Sequence, residues 1–102
     1  MNKPAATIFR EGDRVIVDGS VTVDNVVALT QKGIVLFEGQ TLTVDLGKVT
    51  EVDSTAISML LEWLRAVQHN NDSLRIENTP QNLSSLIQLY GVAEMIPLSS
   101  CQ

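Results

Sequence analysis

The chain has 102 residues, 44% apolar and 19% charged, with twelve acidic against seven basic side chains and a net charge of −5. That length suits one domain able to bury roughly 65% of its unfolded surface, and the apolar fraction is that of a globular protein rather than a disordered one. The acidic balance argues against nucleic acid and against direct docking on an anionic membrane, since both need clustered Lys and Arg.

Other exclusions follow from single features. Cys101 is alone, so the chain can form neither an internal disulfide nor a thiolate metal site, which fits a reducing compartment. The opening Met1-Asn2-Lys3-Pro4 lacks the apolar core of a signal peptide. No stretch approaches the ~20 apolar residues of a membrane span. A cytoplasmic location is the expectation.

Residues 1–6 read as a loose end. Thr7–Arg10 and Arg14–Val17 are β-prone segments separated by the turn signal Glu11-Gly12-Asp13, which predicts a hairpin ended by Asp18-Gly19-Ser20. Thr22 is placed to cap a helix starting at Val23, in which Val23, Val27, Ile34 and Phe37 recur at helical spacing with Val26 and Leu29 beside them. Gly33 costs that helix about 1 kcal/mol relative to Ala, which predicts a bend or an early end. Glu38-Gly39-Gln40 turns into a buried strand, Thr41–Leu46, followed by a short loop from Gly47 to Glu51.

The longest helix is predicted from about Ser54 to His69. At 100° per residue, Ser54, Thr55, Ser58, Glu62, Arg65 and His69 share one polar arc. Ala56, Ile57, Leu60, Trp63, Leu64 and Val67 lie opposite, flanked by Met59, Leu61 and Ala66. The apolar sector spans roughly 220°, wider than the ~100° that one-sided packing needs, so part of its edge is a candidate for partner contact. Asn70-Asn71-Asp72-Ser73 ends the helix and Leu74–Glu77 is the next strand. Thr79 as N-cap and Pro80 at the first helical position start a further helix. Its apolar positions are Leu83, Leu86, Ile87 and Tyr90, with Gly91 as left-handed cap. Val92–Leu98 suits one more short turn or a β-like segment, and residues 99–102 read as a second loose end.

The order β-β-α-β-α-β-α predicts one α/β domain with a mixed, mostly parallel sheet and helices packed against it. Catalytic chemistry is poorly supplied. His69 is the only histidine, and it lies about 21–23 Å along the helix from Ser54 and Thr55 at 1.5 Å per residue. Neither GxxxxGK[ST] nor GxGxxG occurs, and no ligand spacing suggests a metal. No cofactor is expected and the chain reads as a non-enzyme. Asp53 is the expected cap of the long helix, which leaves the hydroxyls of Ser54 and Thr55 beside its partial positive charge.

Thr43-Val44-Asp45-Leu46, Val49, and Val52-Asp53-Ser54-Thr55-Ala56-Ile57 resemble the signature of STAS domains, named for sulphate transporters and anti-sigma-factor antagonists. The resemblance covers nearly the whole chain and is most specific in the Asp-hydroxyl-hydroxyl loop, where Ala56 replaces the common glycine. It implies the STAS fold and two alternative roles. In the MlaB-type subunit of the Mla phospholipid ABC transporter, the hydroxyl after the Asp supports work with the ATPase subunit, and the matching residue is Ser54. In anti-sigma-factor antagonists a serine kinase phosphorylates the second hydroxyl, and the matching residue is Thr55.

The closing segment Leu86–Leu98, with its Leu-Tyr pair and hydrophobic-Pro end, resembles the transporter branch more closely. So does the absence of the further strand and helix into which the antagonists usually continue. The leading expectation is a cytoplasmic subunit peripheral to the inner membrane, reaching the membrane only through the transporter complex. Its ATPase partner would be contacted by Ser54, Thr55, Ser58, Met59, Glu62 and Arg65, with Met59 supplying adaptable apolar contact.

Overall fold

Two antiparallel strands open the fold in the computed structural model, which describes residues 6–37, 42–69 and 74–96. β1 (Thr7–Glu11) and β2 (Arg14–Val21) form the expected hairpin, with Gly12 at φ 63°, a left-handed angle that a residue without Cβ adopts freely. β2 does not stop at Asp18-Gly19-Ser20. It continues to Val21, and its pairing with β3 slips between Ile16 and Asp18 and again between Gly19 and Val21. Gly19, at φ 109°, takes up the irregularity. Residues 1–5 and 99–102 lie outside the described residues, but Ala6 is not loose: it packs half-buried against the core.

β3 (Leu42–Val52) is longer than predicted, and the expected loop at Gly47–Glu51 is strand. Its first half lies between β2 and β4 (Leu74–Glu77); its second half pairs with β2 alone, through Asp18↔Lys48, Gly19↔Val49 and Val21↔Val52. The four strands stand in sequential order, with β2, β3 and β4 parallel. Right-handed crossovers that always step in one direction put every helix on the same face. The burial agrees: Val15, Val17, Leu42, Val44, Leu46, Leu74 and Ile76 join the helices in one core, while Arg14, Ile16, Asp45 and Glu77 alternate outward.

α1 (Val26–Leu36) starts three residues later than expected. Thr22 does not cap it from Val23. Instead its carbonyl accepts the N–H groups of Asn25 and Val26, and Asn25 ties the turn together by accepting the Thr22 N–H and donating to the Ser20 carbonyl. Of the recurring apolar positions Val23, Val27, Ile34 and Phe37, only Phe37 is buried. Val26, Leu29, Gly33 and Phe37 point inward, while Val23 and Val27 are each 66% exposed, Val35 is 70% and Ile34 is 39%.

Gly33 does not end the helix, which continues to Leu36. A Cβ there would lie 2.4 Å from the Trp63 indole, so the glycine exists to let two helices approach. Trp63 donates Nε1–H to the Thr30 carbonyl at 3.0 Å and meets Phe37 edge-on, ring centroids 5.2 Å apart at 87°. The Glu38-Gly39-Gln40 turn and the Asn70–Ser73 helix end fall outside the described residues.

α2 (Thr55–His69) buries Ala56, Ile57, Leu60, Trp63, Leu64 and Val67 as predicted. Its flanks are covered as well, because α1 packs on one side and α3 (Gln81–Leu89) on the other. The broad apolar sector is therefore filled largely from within the chain. α3 begins one residue later than expected, with Pro80 in the extended cap position. Leu83 and Ile87 are buried, Leu86 is half-buried, and Tyr90 is exposed. Gly91, at φ 71°, closes a Schellman motif: its N–H donates to Gln88 O and the Val92 N–H to Ile87 O. A single 3-10 turn, Ala93–Met95, follows.

Candidate partner-binding face

Asp53 stands where β3 ends and α2 begins, and its carboxylate is the hub of that junction. One oxygen accepts the Thr55 N–H at 3.0 Å and the Thr55 hydroxyl; the other accepts the Val23 N–H at 3.0 Å. The expected cap is thus present, and it also ties down the turn leading into α1. Partial burial opposes ionisation of Asp53, but the Thr55 hydroxyl and the N–H groups of Val23 and Thr55 outweigh it and hold the carboxyl below the usual range.

The two hydroxyls after Asp53 differ sharply. Thr55 is half-buried and donates its hydroxyl to Asp53, whereas Ser54 is exposed and its hydroxyl makes no hydrogen bond among the described residues. Ser58, Glu62 and Arg65 continue the exposed side of α2, with Glu62 and Arg65 paired at 3.6 Å. His69 is exposed at the far end. Four of the six expected contact residues, Ser54, Ser58, Glu62 and Arg65, are therefore exposed, and Thr55 is half-buried beside them. Met59 is the correction: at 1% exposure it belongs to the core, because α1 covers the side of α2 from which it projects.

Between the two helices runs a cleft of about 250 Å³, lined by Val26, Val27 and Thr30 of α1 and by Ser58, Met59 and Glu62 of α2. Met59 forms part of its wall. The contribution of α1 was not expected from the sequence, although the spacing of Val23, Val27 and Ile34 carried the signal. That stripe is real and faces solvent.

A second polar cluster occupies the open face of the sheet. Arg14 pairs with Asp45 at 2.9 Å and with Glu77 at 3.1 Å, while Asp45 also accepts from Asn78 Nδ2 and the Gly47 N–H. Partial burial opposes the charge on Asp45, but Asn78, Gly47 and Arg14 outweigh it and lower its pKa; hydrogen bonds to Asp45 and Glu77 raise that of Arg14. Among the described residues, no three His, Cys, Asp or Glu side chains gather to hold a metal, and no helix is long and apolar enough to cross a membrane.

The fold and this face define a small one-sided α/β domain that presents a capped helix start. Residues 6–97 match the family model described as "Mlab, STAS domain", and the chain belongs to the STAS domain family. No curated protein sequence matches it. Among solved structures it resembles the anti-sigma-factor antagonist SpoIIAA in its unphosphorylated form, with TM-score 0.67 and 14% identity over 96% of this chain and 90% of that one. An anti-sigma-factor antagonist (STAS) domain protein from Planctomyces limnophilus gives 0.72 and 13% over 95% and 91%. A serine-to-glutamate variant of Moorella thermoacetica RsbS gives 0.66 and 13% over 94% and 86%. At such identities the likeness is one of fold.

Proposed function

We propose that the chain is a non-enzymatic cytoplasmic STAS subunit of a phospholipid ABC transporter. It binds the ATPase subunit through the α2 face and supports that subunit's assembly and activity. The supporting observation is the pairing of an exposed, unengaged Ser54 hydroxyl with the match to the MlaB-described family model. In this reading Ser54 donates to the partner, Thr55 is held by Asp53 to stiffen the helix start, and Ser58, Glu62 and Arg65 extend the contact. The membrane is reached through the complex alone. Co-purification of the full chain with the ATPase and permease subunits tests it, with Ser54→Arg expected to abolish the association. Recovery of neither subunit overturns the reading.

The alternative is an anti-sigma-factor antagonist switched by phosphorylation at Thr55. The likeness of the fold to SpoIIAA and to the Planctomyces limnophilus anti-sigma-factor antagonist domain supports it. A phosphate on Thr55 would remove the hydroxyl donor from Asp53 and set about −1.5 to −2 charges beside that carboxylate. Intact mass after incubation with a cognate serine kinase separates the two readings: a phosphate-sized gain at Thr55 supports the switch, and none supports the transporter subunit.

A further inference from the structure

α1 is apolar on two sides. One side, Val26, Leu29 and Phe37, is in the core; the other, Val27, Ile34 and Val35, lies open, with exposed Val23 just before the helix. A helix apolar nearly all round is ordinarily buried nearly all round, and a contiguous exposed apolar patch rimmed by polar groups marks an interface. Here the patch leads directly into the α1–α2 cleft.

The charges around the cleft select its occupant. Glu62 is the charged residue in the lining, and Asp53 stands at the start of α2, bonded to the turn that also carries exposed Asp24. Arg65, paired with Glu62, is the cation nearby on α2. A second copy docked face to face would bring these carboxylates against themselves, since an isologous contact repeats the same patch. An anionic surface would be repelled in the same way.

We infer that the α1–α2 cleft receives an amphipathic helix of a protein partner, which inserts an apolar side chain beside Val27 and Met59 and sets a Lys or Arg against Glu62. The occupant is defined by this chemistry alone; only its assignment to the ATPase subunit rests on the transporter reading. Trp63, the single tryptophan, bonds the backbone of Thr30 in the cleft wall and reports occupancy.

The test titrates the full chain with two synthetic helical peptides sharing one Leu face, one with Lys and the other with Glu along its polar border, while Trp63 emission is followed. The Lys peptide is expected to shift the emission, with at least about tenfold weaker binding for Val27→Glu and for Glu62→Lys. These sites are exposed, so circular dichroism should match wild type, and Thr7→Glu on β1 should bind normally. No emission change with the Lys peptide, equal affinity for both peptides, or wild-type affinity in Val27→Glu overturns the inference. So does a sedimentation shift to a dimer that Val27→Glu abolishes, because it would place a second copy in the cleft. ATPase co-purification is scored separately: Lys-peptide binding without ATPase capture retains the cleft and removes the transporter reading. ATPase capture unaffected by Val27→Glu or Glu62→Lys retains that reading and removes the cleft.

Discussion

The Asp53 carboxylate accepts the backbone N–H of Val23 at 3.0 Å, joining the start of α2 to the turn before α1, thirty residues away in the chain. The same side chain caps α2 through Thr55. One carboxylate therefore fixes the relative position of the two elements that border the cleft.

Removing it should be felt at both. Asp53→Ala is expected to destabilise the fold by about 1–2 kcal/mol, the upper part of the range for a lost N-cap, whereas Asp53→Asn should retain most of that stability because Asn also caps well. Urea denaturation midpoints at constant m-value provide the measurement. An Ala variant as stable as wild type would show that the junction is held by other contacts.

Acid titration should distinguish the same variants. The folded pKa of Asp53 lies below its unfolded value. Its ionised contribution is complete above the ordinary carboxylate value of about 4 and is lost as pH falls through the lower folded value. Asp45 has the same sign. Asp53→Asn and Asp45→Asn should each flatten the fall of stability below about pH 4, and the double variant should flatten it further, since the sites share no partner. An acid limb as steep as wild type in both single variants would contradict these assignments.

Thr55→Val should release the donor from Asp53 and raise the carboxyl pKa, at a cost of about 1 kcal/mol, while Thr55→Ser should keep the bond. NMR titration of the Asp53 carboxyl carbon measures the shift. A Val variant with an unchanged titration would mean that the backbone donors alone set the pKa.

Gly33→Ala tests the helix contact. Helix propensity alone would stabilise by about 1 kcal/mol, but the new methyl would lie 2.4 Å from the Trp63 ring. Overpacking of that kind costs about 1–3 kcal/mol, so a net loss is expected together with a red shift of Trp63 emission. A stabilised variant with native emission would show that the helices can separate freely.

What the residues disclosed in advance depended on how one-sided their surroundings are. α2 divides its faces cleanly because one side packs and the other is solvated, and its buried set was legible except for Met59. Met59 sits at the boundary, and only the docking of α1 decides that it is core. α1 carries apolar residues on both sides, so periodicity alone could not choose which of them faces the core. β3 looked as if it ended at Leu46 because its second half has β2 as its sole partner and carries exposed Lys48, Thr50 and Glu51. The Arg14, Asp45, Glu77 and Asn78 cluster spans three strands and the residue after the last, and local spacing does not encode such a gathering.

The sequential strand order has a consequence for how the domain is made. Each strand after the first meets an edge already built by its immediate predecessor, so no position must be kept open for a segment still to come. The β1–β2 hairpin closes locally, whereas the parallel β2–β3 and β3–β4 pairings each close a loop of roughly thirty residues and are the slower steps. A nascent chain can extend its sheet in the order of translation, with β4 and α3 sealing one flank last.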